Sequence, residues 1–152
     1  MAETLGSLSD KLTIVKLKQW HAEDPAVQKS LALQEKQLKD EIEEFLAGAV
    51  AGTIPAERLT FAANKVYRQE GNPVPEVTGT IGEVFARLAD VNCRLWHEQE
   101  RVYAFEEVPP AEKDIVIKKL ASLNLERTRC IDRLDSAFRT LVQNVSPKRG
   151  TP

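Results

Sequence analysis

With 152 residues, 42% of them hydrophobic and 29% charged, the chain holds enough apolar material for one core and is expected to form a single domain over 1–152. The net charge is only −2 and lysines are interleaved with glutamates, so there is no phosphate-backbone footprint, which excludes a general nucleic-acid partner. No apolar run reaches the ~18 residues of a membrane span, and none follows a basic start as in a secretory leader, so a cytoplasmic protein without a membrane partner is expected.

Leu5, Leu8, Leu12 and Val15 recur at spacings of three and four and predict an amphipathic helix from Thr4 to about Glu23. Ile14, Leu17 and Trp20 form a second apolar side, available to a neighbouring helix or to a homodimer. Asp24-Pro25 then ends this helix and caps the next. That second helix is expected to run to about Ala47, with Leu31, Leu38, Ile42 and Phe45 inward, and Gly48 and Gly52 loosening its end. From Thr53-Ile54-Pro55 a shorter connector helix is expected to about Gln69, within a connecting region 53–79. Glu70 to Gly79 holds two prolines and two glycines and is the place for a hinge.

Thr80 and Glu83 stand at capping-box spacing and open a further helix with the stripe Ile81, Phe85, Leu88, Asn92, Leu95, Gln99, Val102. Val108-Pro109-Pro110 closes it. The last helix is expected to extend to about Val142 with the heptad Ile117, Leu120, Asn124, Arg127, Ile131, Leu134, Phe138, Leu141, followed by a disordered tail over 143–152. Cys93 and Cys130 fall within these helical patterns and are expected to be reduced, packed thiols. Strand signals are absent.

The chain also matches itself. A shift of 76 positions superposes Thr4 on Thr80, Gly6 on Gly82, Leu12 on Leu88, Val15 on Val91, Trp20 on Trp96 and His21 on His97, and so brings together both tryptophans and both histidines of the protein. The expected fold is therefore all-α, a helical bundle of two antiparallel helical hairpins related by internal duplication, with repeats at about 4–47 and 80–142 joined by the connector helix.

Polar residues interrupt the two seams of the second half at Asn92, Gln99, Asn124 and Arg127. A buried guanidinium needs partners, for which Asp90, Glu98, Glu100 and Asp132 are the nearest in sequence. One polar layer can set helix register; the same amides and arginine can equally hold a carboxylate or phosphate. Trp96, His97, Glu100, Arg101, Asn92, Asn124 and Arg127 are accordingly the candidate ligand-binding residues, with tryptophan as a core anchor and histidine at its boundary. Bundle metal sites use Glu-x-x-His, and here only the reverse His97-x-x-Glu100 occurs, so neither a metal nor a cofactor is expected.

Glu41, Glu44, Glu83 and Asp90 follow in an order similar to the magnesium-binding carboxylates of all-α nucleoside triphosphate pyrophosphohydrolases, although Glu83 and Asp90 are seven apart where that family has Glu-x-x-Asp. Asn92, Trp96, His97, Asn124, Arg127, Ile131 and Asp132 resemble the signature of a bacterial family of all-helical proteins of uncharacterised function: an asparagine one turn before Trp-His-x-Glu, then a helix with Asn-x-x-Arg and Ile-Asp. Gln99 stands where that signature has glutamate. The resemblance covers about Thr80 to Phe138, and it implies a helical fold and bacterial origin but no activity. The expected function is a small interaction or assembly protein with a protein partner or self-association, with small-anion binding or metal-dependent nucleotide hydrolysis as alternatives.

Overall fold

In a computed structural model describing residues 2–61 and 74–145, the chain is all-helical: α1 Leu5–His21, α2 Pro25–Ala51, α3 Ile81–Tyr103 and α4 Pro110–Val145, with a three-residue 3-10 turn at Ala56–Arg58. Each start is fixed locally. Thr4 caps α1 in a reciprocal box with Ser7, Asp24 Oδ1 accepts from the Ala26 amide at 2.7 Å ahead of Pro25, and Thr80 caps α3 in a box with Glu83. Gly52, at φ 76°, supplies the left-handed residue that stops α2.

Cross-links between side chains set the helix directions. Lys16 and Gln19 of α1 reach Glu35 of α2 at 3.2 and 2.9 Å, while Gln28 of α2 donates to the Gln19 and Ala22 carbonyls, so these helices run antiparallel. Arg87 to Glu126 at 2.8 Å and Arg101 to Glu112 at 3.0 Å do the same for α3 and α4. Asn92 meets Asp10 and Thr13, and Trp96, four residues on, meets His21, so α1 and α3 run parallel. One core cluster joins Leu5, Ala49, Leu59, Phe138 and Val142 and is flanked by Ile42, Phe45, Leu46 and Ile54; a second joins Val77, Val84, Leu88, Cys130 and Leu134. Thus α1 lies against the α3–α4 pair while α2 covers α1 from outside and meets α4 near its own C-terminal end.

At Gly6 the backbone of α1 comes close to α4. A Cβ there would sit 2.7 Å from the Ile131 carbonyl oxygen and 2.9 Å from Asp135 Oδ1, so only glycine lets the α1 backbone touch α4. Gly82, its counterpart under the 76-residue shift, has nothing within 4 Å.

Several expectations are corrected. The connector segment forms only the short turn at Ala56–Arg58 and is not helical at Thr60 and Phe61, because the chain bends to bury Leu59 and pack the half-buried Ile54; the rest of the expected helix lies outside the described residues. Residues 74–79 pack rather than hinge: Val74 and Val77 are buried, and Arg129 and Arg133 of α4 donate to the Val74 and Gly79 carbonyls. Residues 143–145 remain helical.

The seam of α4 is rotated by one residue at both ends. Val116 and Val142 are buried where Ile117 and Leu141 were expected, and Ile117 is 48% exposed. Adjacent apolar pairs such as Val116-Ile117 offer two registers, and tertiary packing selects between them. In α3 the buried line is Val84, Leu88, Val91, Asn92 and Glu98, which leaves Gln99 at the boundary. Cys130 is buried, but Cys93 is exposed on the outer face of α3. Among the described residues no helix is long and apolar enough to cross a membrane.

Candidate functional site

The polar layer closes around Asp10, a residue of α1 that is 3% exposed. Arg127 of α4 donates from Nε to Asp10 Oδ1 at 2.8 Å and from Nη2 to Oδ2 at 2.5 Å, a bidentate pair. Asn92 of α3 donates from Nδ2 to the same Oδ1 at 2.9 Å and to Thr13 Oγ1 at 3.0 Å. Three helices are therefore tied at one carboxylate. Asp10's acceptance of the guanidinium hydrogen bonds raises the Arg127 pKa above its ordinary value. The arginine's partner is thus Asp10 in the first half of the chain and not Asp90, Glu98, Glu100 or Asp132. A line of small and polar residues, Gly6-Asp10-Thr13 on one face of α1, was the available signal for it.

Beside this layer opens a cleft of about 440 Å³, lined among others by Glu3, Ser7, Lys11, Asn124, Arg127 and Thr128. Its two cations are already engaged, Arg127 with Asp10 and Lys11 with Glu3. Asn124 turns its amide back to the Leu120 carbonyl at 3.1 Å.

The remaining candidate residues lie elsewhere. The Trp96 ring stacks on His21, with centroids 4.6 Å apart and planes 11° from parallel, and its Nε1 donates to Glu100 Oε1 at 2.8 Å. His97 is exposed, with Nδ1 3.5 Å from Glu100. Arg101 serves the α3–α4 seam through Glu98 and Glu112. So the seven residues divide: Asn92, Asn124 and Arg127 at the Asp10 layer, Trp96, His97 and Glu100 on an outer surface, and Arg101 between helices. Trp20, expected to anchor, is 87% exposed.

Two further buried carboxylates were not singled out as site residues. Glu98 is enclosed between α3 and α4 and pairs with Lys119. Asp135, fully buried, accepts from the Gly6 amide at 2.7 Å and interacts with the Thr4 hydroxyl, so it grips the N-terminus of α1. Burial pushes its pKa up to about 6, aided by the charge of Asp132 and opposed by those two hydrogen bonds. The folded protein therefore holds this proton more tightly than the unfolded chain does. The favourable contribution is complete below about pH 4 and is lost as pH rises through about 6, a change of roughly 3 kcal/mol. Urea unfolding at pH 4.5 and pH 7.5 checks this, and Asp135→Asn is expected to remove that component of the pH dependence.

The carboxylates of the hydrolase pattern have separate duties. Glu83 Oε2 accepts from the Thr80 amide at 2.7 Å, Asp90 faces Arg94, and Glu41 accepts from Gln37. Among the described residues no group of three or more His, Cys, Asp or Glu side chains is placed to hold a metal ion. No protein-family profile, no curated protein and no solved structure matches the chain.

Proposed function

We propose that the chain is a small helical interaction protein that assembles with a protein partner, or with itself, through the end of the bundle where α1 stops. The observation that carries this reading is Trp20, 87% exposed at the last turn of α1. Further aromatic and apolar side chains are exposed toward the same end of the bundle. Trp96 and Tyr103 are seven residues apart and share a face of α3, and His21, at the end of α1, covers only Trp96. α3 runs on for about 10 Å beyond that stack, so Tyr103 stands 83% exposed on a ledge. Ile115 and Ile117 of α4, 61% and 48% exposed, lie at the same end. Aromatic side chains bring ~150–250 Å² each to an interface, and exposed apolar surface on this scale marks interaction sites.

The same reading takes the Asp10 layer as architecture. Its cations face the protein's own carboxylates, which favours protein contact over small-anion binding. The resemblance to the bacterial helical family fits within this proposal, because the signature residues Asn92 and Arg127 both grip Asp10. We read the two helix pairs as one duplicated pair, supported by the matched capping boxes at Thr4 and Thr80.

A photo-crosslinking side chain placed at the exposed Glu23, three residues from an intact Trp20, and separately at the exposed Asp40 of α2, tests the function in purified protein and in a lysate of the source cells. A discrete adduct from position 23 that Trp20→Ala abolishes, and none from position 40, is expected. Equal labelling from both, or none from 23, contradicts it.

A further inference from the structure

The first turn of α1 is fastened to α4 through a single carboxyl group. Asp135 is fully buried; its Oδ1 accepts from the Gly6 amide at 2.7 Å, and the buried Thr4 hydroxyl bonds it as well. Its other oxygen, Oδ2, is enclosed without a partner. The fit leaves no slack, since a Cβ at Gly6 would stand 2.9 Å from Oδ1.

No counter-charge reaches this carboxyl among the described residues. On α4 itself, Asp132 stands one turn before it with the same sign, and Arg139, one turn after, leaves its Nε buried and unbonded. From α1, Glu3 is held by Lys11 and Ser7, and Asp10 by Arg127 and Asn92. Arg87 of α3 is taken by Glu126, and Glu83 caps its own helix. The end of α2 at residues 47–51 carries no charge, and Glu57 and Arg58 of the 3-10 turn are exposed. An ionised Asp135 therefore keeps two hydrogen-bond donors and one bare, enclosed oxygen, an arrangement that favours the neutral acid. Lifting the turn that lies against it admits water at little loss of burial, because Leu5 is the one member of the apolar core in that turn. Opening α1 further along would also break the ties of Asp10.

We infer that the first turn of α1, Thr4 to Ser7, is a pH-operated latch, closed on α4 while Asp135 is protonated and released when Asp135 ionises, with the rest of α1 held by the Asp10 layer. Burial pushes the Asp135 pKa up to about 6, whereas the hydrated carboxyl of the released turn returns to the ordinary carboxylate range. The latch is thus firmest below about pH 4 and loosens as pH rises to about 6. Glu3, Thr4 and Ser7 also line the cleft beside Arg127, so release widens it.

Native-state hydrogen exchange of the full chain in low urea, at pH 4.5 and pH 7.5, tests the latch at the Gly6 amide and at the Leu8 amide, which donates to the Thr4 carbonyl. After removal of the intrinsic pH dependence of exchange, their opening constant is expected to rise by roughly tenfold or more between the two pH values. At pH 7.5 this opening is expected to depend little on urea, while the Leu88 and Val91 amides of α3 keep the full urea dependence of global unfolding. Asp135→Asn, neutral at both pH values, is expected to erase the rise. In the wild type, the carbon-13 resonance of the Asp135 carboxyl is expected to titrate over the same range. Gly6 and Leu8 amides that open only with the global urea dependence at both pH values overturn the latch, as does a rise that persists in Asp135→Asn. An Asp135 carboxyl already ionised at pH 4.5 overturns it without any variant.

Discussion

Gly6→Ala is expected to destabilise the protein by about 3 kcal/mol, while Gly82→Ala is expected to be neutral or to stabilise it by several tenths. The two glycines occupy the same place in the repeated sequence and the same second position of their helices. Their surroundings differ. At position 6 a methyl group meets the Ile131 carbonyl and Asp135 Oδ1 below 3.0 Å, and a backbone oxygen in the middle of a 36-residue helix does not yield cheaply. The substitution also pushes the Gly6 amide away from the buried Asp135 carboxyl, which is left short of a donor. At position 82 the methyl group enters open space, and alanine's higher helix propensity is the only term. Urea denaturation of the two variants beside the wild type reads the contrast directly.

Arg127→Leu is expected to cost about 3 kcal/mol, more than Asp10→Asn, because it leaves the better buried member of the pair without its counter-charge. The Asp10 side chain is 4% exposed, whereas that of Arg127 is 31% exposed and borders the cleft. Freed from its partner, the guanidinium reaches water; the carboxylate does not. Combining the two substitutions is expected to cost less than the sum of the single losses, with a coupling on the order of 1–3 kcal/mol. Additive losses in a double-mutant cycle would contradict the bidentate geometry. Asn92→Ala belongs to the same network, and its loss is expected to be smaller, since Arg127 still neutralises Asp10.

What could be read from the sequence follows the range of the forces involved. Helix starts are local events. Asp24 and Thr80 each hydrogen-bond within three residues, so their caps were legible, as was the proline that opens α4; the box of Thr4 with Ser7 was equally local but was not read. The stripe of α1 was legible at Leu5, Leu8 and Val15, and that of α2 at Leu31, because apolar residues recur there at helical spacing. The α4 seam was legible at Leu134 and Phe138 but not at its ends, since Val116 and Ile117 are equally apolar and the choice between them belongs to packing. The polar layer announced itself through Asn92 and Arg127, but its centre at Asp10 lies 82 and 117 positions away along the chain, a pairing that periodicity cannot supply. The self-match of the sequence does not extend to burial: Trp20 and Trp96 align under the 76-residue shift, yet one is exposed and the other carries a histidine.

The central claim is that contacts with partners live at the open end of the bundle while the Asp10 layer belongs to the fold. Hydrogen exchange of the full chain, alone and in its assembled state, with and without phosphate, tests it most directly. Assembly is expected to slow exchange over residues 17–24 and 97–104, while amides around Asp10 and Arg127 stay equally protected in every condition. Unchanged exchange at the open end, with phosphate instead slowing exchange over residues 120–130, would make the polar layer a ligand site and contradict the account.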